Sequence, residues 1–118
     1  MINSVVMEGR LTVDPVLKTT LDGKEFCTFS IAQNKKTKDG AQEAMFLDVS
    51  VWNAALAKYV ADRFGKGERI VLQGKLDVRR YEASDGTRRE AWQIMALAVS
   101  SKDGERRSAA AGDFEEVG

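Results

Sequence analysis

The side chains that most often carry enzyme chemistry are scarce in this sequence. The chain of 118 residues has no histidine and a single cysteine, Cys27, which stands in an apolar strand-like stretch. Histidine is the usual general base and metal ligand, and a reactive thiol needs a neighbouring group that ionises it. Cys27 is therefore predicted to be a buried packing residue, and the protein is predicted not to be an enzyme.

The carboxylates and glycines do not suggest a catalytic or metal centre either. Asp14, Asp22, Asp39, Asp85 and Glu90 are scattered over predicted turns and strand ends. No pair of them recurs at the spacing of metal ligands. The glycines are isolated and form no phosphate-binding loop. The sequence thus predicts no metal site and no cofactor.

Aromatic residues form a more informative pattern in the stretch "FLDVSVW". Side chains alternate across a strand, so Leu47, Val49 and Val51 would form a buried face. The opposite face then carries Phe46 and Trp52 among polar residues. Large rings on a face that should meet water indicate a binding surface or an interface.

Basic residues accompany these rings. On the next predicted strand, Lys75, Arg79 and Tyr81 share the face opposite the apolar residues. Every base offers a π-face for stacking, worth ~1–3 kcal/mol, and every phosphate offers a charge. The pattern favours single-stranded nucleic acid, and no element is shaped for a duplex groove. Further cations fall in the two predicted loops nearby: Lys35, Lys36, Lys38, Arg80, Arg88 and Arg89.

Other interpretations of these residues remain open at this point. Phe46 and Trp52 could lie beneath a loop or in a subunit interface, because exposed apolar patches commonly mark interfaces. The basic runs could simply solvate loops. Trp92 shares its strand face with Glu90 and Ile94, and this mixed surface favours a core or interface position over a base-stacking one.

The charge distribution is asymmetric although the total is balanced. Lys+Arg and Asp+Glu both number 18. Residues 1–102 hold 16 basic and 13 acidic residues, a net charge of +3, and residues 103–118 hold 2 and 5, a net charge of −3. One cysteine cannot form an internal disulfide, and no apolar run is long enough to span a membrane. The start of the chain lacks the pattern of a signal peptide, so we expect a cytoplasmic protein.

The elements that position these residues are predicted to be five strands and one helix. The strands are centred on "INSVVMEGRLTV", "EFCTFSIAQ", "AMFLDVSVW", "ERIVLQGKLDVRRYEA" and "RREAWQIMALAVS", with "NKKTKDGAQE" as a long exposed loop. A helix begins after its predicted N-cap, Asn53, and stops at Gly65. This order predicts an all-β, five-stranded OB-fold barrel with the helix between strands 3 and 4. An SH3-like barrel or a half-open α+β sheet would also fit.

The end of the chain has a different composition. Residues 102–118 are small or charged, with one aromatic, and cannot bury enough surface to order themselves. We predict one OB-fold domain over residues 1–101 and a disordered, flexible acidic tail over residues 102–118.

Three stretches match one family in the same order. They are "MINSVVMEGRLTVDPVLKTT", "FSIAQNKK" and "FLDVSVWNAALAKYVADRFGKGERIVLQGKLDVRRY". Over roughly residues 1–100 the chain resembles the bacterial single-stranded DNA-binding proteins. The resemblance implies an OB-fold that binds and protects single-stranded DNA in replication, recombination and repair. It also implies a homo-oligomer, with a tetramer favoured and a dimer possible.

The resemblance assigns roles to individual residues. Phe46, Trp52 and Tyr81 fall on the family's stacking positions. Arg10, Lys35, Lys36, Arg79 and Arg80 fall at or near basic positions that meet phosphates. The face of the fourth strand adds Lys75, and the exposed hairpin after it adds Arg88. An alternative is an OB-fold interaction subunit, similar to primosome accessory proteins, whose aromatic face is mainly a protein interface. An OB-fold nuclease is a third alternative.

Two features depart from the family pattern. The predicted loop "NKKTKDGAQE" has no aromatic residue, whereas many members keep a stacking tryptophan there. The family's acidic tip, which recruits replication and repair proteins, ends in acidic residues followed by Pro-Phe, whereas here "GDFEEVG" has neither that order nor a proline. The resemblance still implies such partners for the acidic tail.

Overall fold

A computed structural model describes residues 1–101, 104 and 106–108 of the chain. This part contains one helix, α1 (Ala54–Arg63), and seven strands. The strands are β1 (Val5–Leu11), β2 (Val16–Thr19), β3 (Glu25–Lys36), β4 (Gln42–Val51), β5 (Arg69–Glu82), β6 (Arg88–Ser101) and β7 (Arg106–Ser108).

Five of these strands close into a barrel. They are neighbours in the order β1-β5-β6-β4-β3, and β3 pairs back with β1. All pairings are antiparallel except that of β4 with β6. The five barrel strands are the five predicted ones, and α1 lies between the third and fourth of them. The predicted OB-fold is confirmed.

The barrel interior is apolar and contains the predicted thiol. Ile31, Ile70 and Leu72 are among its fully buried side chains. Cys27 is fully buried in this cluster, and desolvation raises the pKa of its thiol to about 11. A protonated thiol packed among aliphatic side chains is a core residue and not a nucleophile.

Helix α1 packs one apolar stripe against the barrel. Its N-cap is Asn53, as predicted, whose Oδ1 accepts a hydrogen bond from the Leu56 amide at 2.9 Å. Leu56, Ala57 and Val60 are buried. After the helix, the Phe64 ring meets Tyr59 edge-on with centroids 6.3 Å apart. No helix in residues 1–101 or the described residues beyond is long and apolar enough to cross a membrane.

A bulge between β5 and β6 bends the barrel wall. The register shifts between Gln73 and Gly74. A Cβ atom on Gly74 would lie 2.1 Å from the backbone carbonyl oxygen of Met95. Only glycine permits this close approach of the two strands, so Gly74 is a requirement of the closed barrel.

The segment predicted to be a long exposed loop is instead the outer half of a β3–β4 hairpin. Lys35 pairs with Glu43, and the turn occupies only residues 37–41. The amide of Thr37 donates to the carbonyl of Ala41 at 2.8 Å, and Gly40 supplies the positive φ. Both sides of these hairpin arms are exposed, so the sequence lacks apolar alternation although the backbone forms a regular ladder.

Part of the predicted tail also forms a strand. Arg106–Ser108 make up β7, which pairs with β6 so that Arg107 lies opposite Val99. One edge of β6 pairs with β5. On the opposite edge β4 pairs only with residues 93–95, which leaves residues 98–100 of β6 to pair with β7. The Arg106 guanidinium donates to Gln73 Oε1 at 3.1 Å. A disordered tail from residue 102 onward therefore does not hold for these three residues, and the remaining tail residues, apart from Gly104, lie outside the described part.

Candidate nucleic-acid interface

Most of the predicted aromatic and basic residues lie on the outer face of the sheet, by which we mean the side turned away from the barrel core. Cross-strand partners point to the same side of a sheet. Asp48 on β4 pairs with Gln93 on β6, which pairs with Asp77 on β5. Since side chains alternate along each strand, one continuous outer face includes Phe46, Trp52, Lys75, Arg79 and Tyr81.

Phe46 stands in a cross-strand row with a predicted cation. Ala32 on β3 pairs with Phe46 on one side and with Arg10 on the other. The small Ala32 side chain leaves the Phe46 ring 66 % exposed. The Arg10 guanidinium donates to the carbonyl of Gly67 at 3.0 Å. This hydrogen bond steadies a positive charge on the same face as the ring.

Trp52 is part of a pair of stacked rings. Its ring lies on Phe26 with centroids 4.3 Å apart and an interplanar angle of 13°. Sequence reasoning missed Phe26, although its alternation with the core residues Cys27 and Phe29 places it on the outer face. The stack extends the predicted single platform to two rings and holds the Trp52 indole in one orientation.

A fourth aromatic, Tyr81, stands on β5 with its own cation. The Arg79 guanidinium carbon lies 5.8 Å from the centroid of the Tyr81 ring, within the range of a cation–π contact. Lys75 lies on the same side of β5, opposite Met95 of β6. Rings and positive charges therefore stand beside one another on the outer face.

Three of the predicted cations lie on the other side of the sheet. Lys35 and Lys36 are adjacent on β3, so only Lys36 shares the side of Phe46. Arg80 and Arg88 lie on the side of the β5–β6 hairpin opposite Arg79, and Arg80 is 3.5 Å from a carboxylate oxygen of Glu90. The outer face thus gathers seven of the ten predicted residues: Arg10, Lys36, Phe46, Trp52, Lys75, Arg79 and Tyr81.

Three hairpin turns share the same hydrogen bond between an aspartate and a threonine. Asp22, Asp39 and Asp85 each accept a hydrogen bond from a threonine hydroxyl of the same turn, and this bond is the main cause that lowers the pKa of each carboxyl. The glycine after each aspartate has a positive φ. These carboxylates stabilise their own turns through hydrogen bonds. Among the described residues no group of three or more His, Cys, Asp or Glu is placed to hold a metal ion.

An OB-fold barrel with rings and cations together on one face is typical of the oligonucleotide-binding OB-fold proteins. Residues 2–101 match the model of the family described as the single-strand binding protein family, and the chain belongs to that family. The predicted resemblance is therefore confirmed.

Individual relatives agree with this membership. The chain is 42% identical over 99 residues to a single-stranded DNA-binding protein of Clostridium tetani, covering 82% of this chain and 68% of that protein. It is 37% identical over 111 residues to single-stranded DNA-binding protein 3 of Listeria innocua, covering 92% and 69%. A structure of the Plasmodium falciparum SSB complex with ssDNA superposes with a TM-score of 0.71 at 21% identity, covering 81% of this chain and 87% of that one. The last match supports the fold.

Proposed function

We propose that this protein binds single-stranded DNA without sequence specificity and so protects and organises single strands in replication, recombination and repair. The observation that carries the proposal is the continuous outer face, which unites Phe46, the Trp52–Phe26 stack and the Arg79–Tyr81 pair. Membership of the single-strand binding protein family and the names of the relatives support it.

The outer face suits a flexible strand with exposed bases. Phe46, Trp52 and Tyr81 are 66 %, 44 % and 43 % exposed, so each can receive a base. Trp52 directly follows β4 and is six residues from Phe46, which is about 20 Å in a strand. Single-stranded DNA lying across the face would therefore meet the rings at separate bases. Stacking does not distinguish bases strongly, which accounts for binding without sequence specificity.

The cations of the outer face would pair with phosphates. We assign this role to Arg10, Lys36, Lys75 and Arg79. Lys35, Arg80 and Arg88 are predicted contacts that lie on the far sides of the hairpin arms. They would meet DNA where a strand passes around an arm.

Titration with oligo-dT at several salt concentrations tests the proposal. Stacking is expected to quench tryptophan fluorescence. With about four phosphate contacts, log K should fall with log salt at a slope of about −3, because each contact with a single strand contributes ~0.7. Unchanged fluorescence together with an affinity independent of salt would contradict single-stranded DNA binding.

We propose a homo-oligomer, with the tetramer favoured over the dimer. Several apolar side chains that a partner subunit would cover are exposed on the single chain, among them Ile2 and Val6. Light scattering with and without oligo-dT measures the assembly directly.

We also propose that the acidic tail, residues 102–118, recruits replication and repair proteins and that the protein acts in the cytoplasm. The net charge of −3 over residues 103–118 supports a tail that binds basic partner surfaces. The family relationship supports the location, because bacterial single-stranded DNA is cytoplasmic. We propose no catalytic step.

A further inference from the structure

The hairpin of β5 and β6 extends beyond the barrel and carries side chains on both of its sides. Arg79 and Tyr81 belong to the outer face. The opposite side, which we call the far side of the arm, carries three cross-strand pairs beyond the core residue Ile94: Val78 with Trp92, Arg80 with Glu90, and Glu82 with Arg88. Residues 79–82 and 88–90 are exposed, so the described chain leaves this part of the arm uncovered.

Trp92 is the large apolar side chain of the far side. Its cross-strand partner, Val78, is half-buried, and Trp92 itself is 49 % exposed. This exposure excludes the core position that the sequence analysis allowed for Trp92 and leaves an interface or a ligand. Among the described residues, no other ring and no cation stacks on the indole.

The polar contacts of Trp92 use the edge of its ring. Nε1 donates to Glu90 Oε2 at 3.2 Å, and the other carboxylate oxygen of Glu90 lies 3.5 Å from Arg80 Nε. An indole N–H points outward in the plane of the ring, so this hydrogen bond occupies neither face of the indole. The contacts hold the ring in one orientation, which lowers the entropy that a stacked base would cost.

Two cations stand near the ring on the far side. Arg80 directs its Nε towards Glu90, and its side chain is still 80 % exposed, which leaves the terminal N–H groups for a phosphate. Arg88 is exposed and forms no ion pair with a carboxylate of the described residues. Glu82 and Glu90 balance these two charges, so a ligand of the far side must gain most of its affinity by stacking on Trp92.

The far side is continuous with the outer face across an open strand edge. β1 pairs with β5 only as far as Gly74, so no described strand pairs with the β5 edge along residues 79–82. Successive residues of a strand point to opposite sides, so Arg80 and Tyr81 are neighbours in the chain that face different sides of the arm. A DNA strand that leaves the Tyr81 ring can therefore cross this edge and reach Arg80 and Trp92.

We propose that single-stranded DNA wraps around the β5–β6 arm and that Trp92 on the far side stacks on one base, with Arg80 and Arg88 contacting the phosphates beside it. The inference rests on the proposed single-stranded DNA binding and deepens it, because it adds a ring on which that proposal does not depend. Every base offers a π-face, so the added contact raises affinity without adding a sequence preference.

The two tryptophans of the chain allow the far side to be tested separately from the outer face. Trp52→Phe keeps a ring in the outer-face stack and leaves Trp92 as the only tryptophan, whereas Trp92→Phe leaves Trp52. Each variant is titrated with oligo-dT of about 30 nucleotides, nearly twice the longest stretch of ~16 that one OB-fold covers. Wrapping predicts quenching of tryptophan fluorescence in both variants.

The outcomes distinguish wrapping from DNA binding as such. Quenching of Trp52 without quenching of Trp92 would overturn wrapping and leave DNA binding in place. If neither tryptophan is quenched and affinity is independent of salt, both proposals fail.

The contribution of the far-side ring is measured with Trp92→Leu. Leucine keeps an apolar partner for Val78 and removes the ring, so affinity for the same oligo-dT should fall at least about fivefold, the lower end for one stacked base. An unchanged affinity would overturn wrapping. A changed molecular mass in light scattering would identify the far side as a subunit interface and would overturn it as well.

The phosphate contact is measured with Arg80→Gln and a matched control, Lys58→Gln. Lys58 is a cation of α1, the helix that packs against β2, β3 and β4, and it lies 3.4 Å from Glu25. Arg80→Gln should make the slope of log K against log salt shallower by about 0.7, because one phosphate contact with a single strand is lost. Lys58→Gln should leave the slope unchanged. Equal slopes in the parent protein and both variants would show that Arg80 meets no phosphate.

Discussion

Phe46 contributes to the surface of the protein and little to its interior. Its ring is 66 % exposed beside the small Ala32. Phe46→Ala is therefore expected to weaken oligo-dT binding by ~1–3 kcal/mol, about fivefold to 150-fold. The free energy of unfolding should change by no more than ~0.5 kcal/mol. Fluorescence titration and urea unfolding measure the two effects.

Leu21→Ala provides the control for this variant. Leu21 is a fully exposed apolar residue in the turn between β2 and β3, and its removal should change neither quantity. If Phe46→Ala instead kept its DNA affinity and changed the molecular mass, the aromatic face would be a subunit interface, as in the alternative of an OB-fold interaction subunit.

Individual side chains were predictable where alternation is regular. Phe46 and Trp52 stand out because core residues separate them along β4. Phe26 follows the same rule on β3, where it alternates with the core residues Cys27 and Phe29, but it stands at the start of the strand beside a turn, where the pattern is short. Trp92 follows the rule too, because it lies opposite Val78 on the same side of β6 as Glu90 and Ile94. Alternation could not predict the parallel pairing of β4 with β6, where residues 50 and 95 meet only through the closed barrel.

The turn at the tip of the β3–β4 hairpin depends on an ionised carboxylate. Asp39 Oδ1 accepts hydrogen bonds from the Thr37 hydroxyl and from the Ala41 amide, the latter at 3.2 Å, and both lower the pKa of the carboxyl. A lowered pKa means that this stabilisation is complete above the ordinary value of about 3.9 and is lost as pH falls through the folded value. An NMR titration of the Asp39 carboxyl carbon is expected to show a midpoint below about 3.9.

Thr37→Val separates the two hydrogen bonds. It removes the hydroxyl, which is the larger cause of the shift, and keeps the backbone contact. The midpoint of Asp39 should therefore rise towards its ordinary value, while that of Asp85 in the β5–β6 turn stays in place. An unchanged Asp39 midpoint would show that the hydroxyl does not hold the carboxylate.

The hairpin arms show why the element boundaries were harder to predict than the strands of the barrel. Core strands carry alternating apolar residues, which the sequence displays. The outer half of the β3–β4 hairpin is exposed on both sides, so its only order is the backbone ladder between residues such as Lys35 and Glu43. Composition cannot distinguish such arms from a loop.

At the scale of the whole molecule, barrel closure depends on Gly74. Gly74→Ala would place a Cβ atom 2.1 Å from the Met95 carbonyl oxygen, so the backbone must shift. We expect the free energy of unfolding to fall by ~1–3 kcal/mol. Urea unfolding at one fixed protein concentration measures this, because the stability of an oligomer depends on concentration.

Gly65→Ala is the matched control for closure. Its new Cβ would meet only side-chain oxygens of Asp14 and Glu68, at 3.4 and 3.5 Å, which is ordinary contact. The free energy of unfolding should stay within ~0.5 kcal/mol of the parent protein. Equal losses in the two variants would mean that the approach of β5 to β6 is not what requires glycine at position 74.

The barrel as a whole was predictable because five strands and a helix in this order fit few architectures. The continuity of the outer face was only partly predictable. Sequence alternation assigns each residue to a side of its own strand, but register decides that Arg10 shares a row with Phe46 and that Asp77 shares one with Asp48. Those pairings join residues far apart in the chain and leave no local signal.

Strand β7 affects whether another copy of the chain can add a strand to the edge of the sheet. An unpaired strand edge is a template on which another chain can add. β7 covers β6 at residues 98–100 and presents two exposed arginines, Arg106 and Arg107, at the margin of the sheet. Charged side chains on a short terminal strand discourage such addition. At high local concentration along one DNA strand, these arginines would keep neighbouring barrels from joining into a continuous sheet.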